Sequence, residues 1–217
     1  MKKIGMLLAG CGVYDGSELH ESVLVLLALE RAGAQIVNMA PNMELDVIDH
    51  LTQKPTGQKR NSLQESARVV PHTEIKDIKD VSGRDIDGLI IPGGFGIKNL
   101  SSLNEKQEET KVRPEVQKLL DDLVHANKPI GAVCAAPFTL VKALASKKIQ
   151  ITVGNDPKQA AIIEAAGGNH YNCTVRDIHI DEKNNIITTP GYMIGNASIG
   201  DVADGINKMV SEIIRRA

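Results

Sequence analysis

The stretch Pro129-Ile130-Gly131-Ala132-Val133-Cys134-Ala135-Ala136-Pro137-Phe138-Thr139-Leu140-Val141-Lys142-Ala143-Leu144 decides the fold. Its first half is a short apolar run, the mark of a parallel strand buried on both faces, and its second half continues as a helix. Cys134 stands between them on a sharp strand-to-helix turn. A sulfur at that place lies near the positive end of the helix dipole, which favours thiolate, the reactive form, over thiol. The plain alternative is a buried cysteine acting as a small hydrophobe, and the position on the turn weighs against it.

The same alternation extends outward in both directions. Ile4 to Leu8 reads as a buried strand ending at Gly10-Cys11-Gly12. From Ser17 to Ala32 the residues Val23, Leu24, Leu27, Ala28 and Ala32 recur at helical spacing, with Ser17 suited to the cap and Gly33 to the C′ position. Gln35 to Pro41 completes a β-α-β unit, whose crossover is right-handed. The span 46–66 reads as a surface excursion with one short helix, and regular structure resumes at Ala67 to Val70, followed by a polar helix or turn from Ile75 to Val81. Gly88 to Ile91 is a strong strand that ends in Pro92-Gly93-Gly94-Phe95-Gly96. Beyond a polar insertion from Lys98 to Lys111, Val116, Leu119, Leu120 and Leu123 mark a helix over Pro114 to Ala126. The central stretch comes next. After it the pattern predicts a strand from Ile149 to Val153, a helix from Pro157 to Ala166, a hairpin of Val175 to Ile180 with Ile186 to Thr189, and a closing helix from Ile199 to Arg215. No linker or repeat divides residues 1–217, so the expectation is a single α/β domain with an open, mostly parallel sheet.

Composition bounds the function. The 217 residues are 42% hydrophobic and 24% charged, with 19 glycines, as in an ordinary globular chain with a substantial core. A net charge of −2 with scattered Lys and Arg, and only 2% aromatic residues, offers nucleic acid neither an electrostatic footprint nor stacking platforms. No segment is long and apolar enough to suggest a membrane span. The three cysteines, Cys11, Cys134 and Cys173, include no CxxC pair, which fits reduced thiols in the cytoplasm. The partner expected is a small molecule.

Ligands of open α/β sheets collect beyond the carboxyl ends of the strands, where Gly10-Cys11-Gly12, Gly93-Gly94 and Cys134 converge. The Ala135 amide, together with an amide of the Gly93-Gly94 turn, can form an oxyanion hole beside Cys134. Glu18, near the start of the first helix, reads either as a helix-dipole acid or as a carboxyl that exchanges a proton with the thiol. His20 belongs to the cleft or to a surface cluster, Cys11 and Gly12 to the pocket or to a tight turn, and Cys173 to the structure. The six histidines are dispersed without HxH or HxxxH spacing, and neither GxxxxGK[ST] nor GxGxxG occurs, so no metal, nucleotide or other cofactor is expected.

Ile91-Pro92-Gly93-Gly94-Phe95-Gly96 followed by Gly131-Ala132-Val133-Cys134-Ala135-Ala136-Pro137 resembles the ThiJ/PfpI superfamily, whose fold is like that of class I glutamine amidotransferases. Ala9 to Glu18, with Lys98-Asn99-Leu100-Ser101 and Thr188-Thr189-Pro190, resembles its ElbB family, described as isoprenoid-biosynthesis-associated or glyoxalase-like. The resemblance implies a flavodoxin-like three-layer sandwich, Cys134 as nucleophile, Glu18 as the acid touching it, and backbone donors at Gly94 and Ala135. It also implies homodimers and cofactor-free action on glyoxal-type α-oxoaldehydes, and it adds Asn99 to the pocket expected around Cys11, Gly12, His20 and Gly93. The chain departs from protease- and amidotransferase-type relatives, because position 135 is Ala and the loop after Val153 reads Gly154-Asn155-Asp156, so no imidazole stands in either place. Cys-His-acid chemistry on amides loses its base. An aldehyde, which a thiolate attacks unaided, suits the site better. A redox- or electrophile-sensing protein acting through a partner is the competing expectation, and an amidotransferase-like subunit awaiting a synthase is a third, against which the missing histidine argues.

Overall fold

The computed structural model describes residues 1–102 and 111–217; positions 103–110, within the expected polar insertion, lie outside the described residues. β1 (Lys3–Leu7), α1 (Leu19–Arg31) and β2 (Gln35–Ala40) form the predicted β-α-β unit, with β1 and β2 parallel. A hairpin of β3 (Glu44–Ile48) and β4 (Pro55–Asn61) leads into α2 (Ser62–Val69), β5 (Ile75–Asp77) and β6 (Gly88–Ile91). Two short strands, β7 (Ser101–Ser102) and β8 (Lys111–Val112), precede α3 (Pro114–His125), β9 (Ile130–Val133) and α4 (Ala136–Ala143). The chain closes with β10 (Gln150–Ile151), α5 (Pro157–Ala165), β11 (Asn169–His170), β12 (His179–Asp181), β13 (Ile186–Thr189) and α6 (Ile199–Arg216).

Among the described residues the main sheet has seven strands in the order β12-β13-β9-β6-β1-β2-β5, all parallel except the edge strand β12. Its central strands carry Ile4, Met6, Leu89, Ile90, Ile91, Ile130, Val133, Ile186 and Ile187, all fully buried, which is why they read as continuous apolar runs rather than alternating ones. α6 lies on β13, β9 and β6 and packs beside α1, whereas α2 rests against β2 and β5. The ends of β1, β6, β9 and β13 share one edge of the sheet. No described helix is long and apolar enough to cross a membrane.

Five details correct the expectations. The excursion over 46–66 contains the β3–β4 hairpin, with Asp46 paired to Lys59 across it at 2.6 Å; β4 is Pro-Thr-Gly-Gln-Lys-Arg-Asn and exposed over all but its last residue, so no apolar alternation marks it. Ala67 to Val69, where regular structure was expected to resume, are the last turn of α2, which begins at Ser62. Of Ile149 to Val153 only Gln150–Ile151 form a strand, which pairs with β11 outside the main sheet. In α1 the buried face is Glu21, Ser22, Val25, Ala28 and Leu29, while Val23 and Leu27 are 47% and 39% exposed. The helix is apolar almost all round, so spacing alone does not choose its inner face. Its cap is Glu18 rather than Ser17, whose hydroxyl accepts the Ala9 N–H at 2.9 Å.

Because Ile90 is fully buried at the centre of the sheet, Ile90→Ala is expected to cost about 2–5 kcal/mol. The readout is the urea midpoint at unchanged m-value.

Candidate active site

Cys134 follows the last residue of β9 with φ of +60°, a left-handed conformation that a non-glycine residue adopts only when its surroundings impose it. Its N–H donates to the Thr189 carbonyl at 3.0 Å, tying the elbow to the end of β13. α4 begins two residues later, so the side chain stands off the sheet edge, 7% exposed. The Gly94 and Ala135 amides both donate to the sulfur.

The carboxyl beside the thiol is that of Glu21, not Glu18. Glu18 is the N-cap of α1 in extended conformation (φ −63°, ψ 126°), and its Oε2 turns back to accept the Glu21 N–H at 2.6 Å. Glu21, one turn into the helix, points inward with no exposed surface, and Cys134 hydrogen-bonds to it. Each of its oxygens has a backbone donor: Oε2 accepts from Gly93 N–H and Oε1 from Tyr192 N–H, both at 3.0 Å. Space for this clamp exists because positions 93 and 191 lack side chains. A Cβ on Gly93 would stand 2.5 Å from Glu21 Oε2 and 2.9 Å from Cys134 Sγ, and one on Gly191 would collide with Glu21 Oε1. Gly191 also has φ of +52°.

Burial pushes the Glu21 carboxyl up to about 7, with the Glu18 carboxylate adding to the shift and the Tyr192 and Gly93 amides and the Cys134 hydrogen bond opposing it. Burial, followed by the Glu21 charge, raises the Cys134 thiol well above its ordinary value, against the pull of the two amides. The stabilised free thiolate expected from the helix N-terminus therefore gives way to a thiol beside a carboxyl that loses its proton only near neutral pH. The two groups form a coupled pair whose single negative charge is available to sulfur or oxygen.

The other expected residues are placed as follows. Gly93 lies in the site as the donor to Glu21. Asn99 is buried, and its Nδ2 donates to the carbonyls of Ala9 and Asp15, both at 2.9 Å, so it fastens the loop after β1 rather than lining the pocket. Gly12 closes a turn in that loop, donating to Ser17 O and accepting from Gly16 N–H. Cys11 faces a separate cavity of about 310 Å³ under the β3–β4 hairpin, lined also by Asp15, His50, Arg60 and Glu65 and by none of the residues around Cys134. His20 is exposed, with its Nδ1 3.1 Å from the Tyr192 hydroxyl. Sequence reasoning missed Glu21, Gly191 and Tyr192. The available signal was the helical register of Glu21 with Val25 and Ala28, and the turn Pro190-Gly191-Tyr192 at the end of a fourth parallel strand.

A parallel α/β sheet with a cysteine on its central elbow and a carboxyl from the first helix against it defines a cysteine-centred domain of amidotransferase-like fold. The chain belongs to the DJ-1/PfpI family, whose profile matches residues 9–193. It is 37% identical over 224 aligned residues to the human glutamine amidotransferase-like class 1 domain-containing protein 3, mitochondrial, covering 98% of this chain and 82% of that protein. A crystal structure of an isoprenoid biosynthesis protein with amidotransferase-like domain from Ehrlichia chaffeensis superposes with a TM-score of 0.92 at 35% identity, covering 100% of this chain and 99% of the other. A shorter likeness, 35% over 75 residues, covers 35% of this chain and 33% of a glutathione-independent glyoxalase from Caenorhabditis elegans. The human relative is named as mitochondrial, which does not fit a plainly cytoplasmic assignment.

The folded protein holds the Glu21 proton up to about pH 7, whereas the unfolded chain releases it near 4.5. This contribution to stability is complete in acid and is lost as pH rises across that window, by on the order of 3 kcal/mol. Glu21→Gln should flatten the wild-type decline in unfolding free energy between about pH 5 and pH 8, measured by urea titration at each pH; an unchanged slope would assign the decline to other groups.

Proposed function

We propose that the protein is a cofactor-independent glyoxalase-type lyase of the ElbB group, converting small α-oxoaldehydes to hydroxy acids at Cys134. The observation that carries this is the Glu21 carboxyl, fully buried, raised to about 7 and hydrogen-bonded to the thiol. A base with that pKa takes a proton and returns it near neutral pH, as a proton shuttle must. The proton-exchanging role expected of Glu18 falls to Glu21. The 75-residue likeness to a glutathione-independent glyoxalase supports the reaction class, and the name of the isoprenoid biosynthesis structure supports only the grouping.

Glu21 removes the thiol proton as sulfur bonds to the aldehyde carbon of glyoxal. The carbonyl electron pair moves to oxygen, which faces the Gly94 and Ala135 amides and takes up the proton to give a hemithioacetal. Glu21 then takes the hydrogen of the thiol-bearing carbon and delivers it to the adjacent carbonyl carbon through an enediol, leaving a hydroxy-thioester. Water cleaves the thioester to glycolate and restores the thiol. One carbon is oxidised and its neighbour reduced, so no external redox partner enters.

A sensor thiol is exposed and low in pKa, whereas Cys134 is 7% exposed and raised by burial, which favours turnover. Glutaminase chemistry would require an imidazole where the thiol's partner is a carboxyl. Homodimerisation and a small-molecule carbonyl as partner are part of the same proposal.

Purified protein should convert glyoxal to glycolate with kcat/KM rising with pH through about 7, as the Glu21–Cys134 pair loses its proton. Cys134→Ala should abolish turnover, Glu21→Gln should lower kcat by about 10²–10⁴-fold, and Glu18→Gln should cost far less. Wild-type turnover no faster than that of Cys134→Ala would refute the proposal.

A further inference from the structure

The chain has five aromatic residues, three Tyr and two Phe. Phe138 packs against the core, and Tyr171 stacks on His179 at 4.2 Å, away from Cys134 in the chain and in its contacts. The other three, Tyr14, Phe95 and Tyr192, belong to loops at the sheet edge that carries Cys134. Phe95 follows Gly94, whose amide faces the Cys134 sulfur, and its own N–H is fixed on Val13 O at 2.7 Å. Its ring is 57% exposed and lies nearly parallel to Tyr14, centroids 6.3 Å apart at 9°. On the other side, Tyr192 follows Gly191, where a Cβ would stand 3.2 Å from Cys134 Cβ, and its amide holds Glu21. The Tyr192 ring is steadied by His20 through the hydroxyl contact at 3.1 Å and a tilted ring pair.

A fold that uses almost no aromatics elsewhere has thus placed rings on two chain segments adjoining its nucleophile and left the largest apolar one in solvent. We infer that the Cys134 site takes a neutral α-oxoaldehyde with a planar aryl body, seated against Phe95 and Tyr14 on one side and Tyr192 on the other. Offset stacking and edge contacts with such a body gain free energy beyond burial alone. Neutrality follows from Glu18 at the N-cap and Glu21 in the first turn of α1, two acidic groups that disfavour an anionic ligand. The inference rests on the reaction proposed above and names its substrate class. With phenylglyoxal the thiol adds to the aldehyde carbon, that carbon's hydrogen moves to the ketone carbon, and hydrolysis of the thioester releases mandelate.

Two measurements test it, one independent of turnover. Wild-type kcat/KM for phenylglyoxal should exceed that for glyoxal. The ratio should fall about fivefold in Phe95→Ala, chiefly through KM, and recover in Phe95→Tyr, the scale of one aromatic contact. Separately, alkylation of Cys134 by phenacyl bromide relative to iodoacetamide, read by peptide mass so that Cys11 and Cys173 are scored apart, should show the same fall. If Phe95→Ala leaves both ratios unchanged, the inference is overturned. It is also overturned if the variant converts a dimer to a monomer while moving both substrates equally, which would make the ring an interface between copies. If the alkylation ratio depends on Phe95 but neither aldehyde is turned over, aryl recognition stands and the glyoxalase reading fails.

Discussion

A carboxyl with no exposed surface holds this site together. Glu21 comes from α1, its two oxygens are held by amides from the loops after β6 and β13, and it hydrogen-bonds to the cysteine that ends β9. One side chain therefore joins four segments that are distant in sequence. A buried carboxylate without partners would be strongly unfavourable, and each loop supplies the donor that makes it tolerable. Two glycines complete the arrangement, since any side chain at Gly93 or Gly191 would occupy the space of the carboxyl or the sulfur. The order of strands in the sheet is what brings these loops to one edge.

The same clamp gives the chemistry its character. Burial raises both members of the pair, so the site trades the readiness of a free thiolate for a proton that moves over a single hydrogen bond. Such a pair suits a reaction in which a proton leaves one carbon and arrives at the next. It is less suited to amide cleavage, where a leaving amine needs an acid of its own. Glu18 contributes indirectly, by capping α1 and by placing a second charge near Glu21.

Much of the fold was legible because buried parallel strands advertise themselves: Leu89-Ile90-Ile91 and Ile130 to Val133 admit few other readings. The elbow at Cys134 and the amides at Gly94 and Ala135 followed from them. The acid was misplaced because α1 is apolar nearly all round, and the residues Val23 and Leu27 that seemed to mark its inner face are exposed. With the face assigned differently, Glu21 falls in line with Val25 and Ala28. The β3–β4 hairpin escaped because its second strand is polar and solvated, held by cross-strand pairing that leaves no hydrophobic trace. Asn99 and Gly12 were expected to line the pocket, but their hydrogen bonds shape the loop after β1 instead.

The charges acting on the Glu21–Cys134 pair have a consequence for the direction of traffic. Its strongest charged neighbour is another carboxylate, Glu18, so one negative charge sits in the pocket balanced mainly by peptide dipoles. An uncharged aldehyde enters such a place without electrostatic penalty. The acid made from it ionises and is then repelled by the group that formed it, so in the proposed reaction the pocket works as a one-way valve that clears its own product.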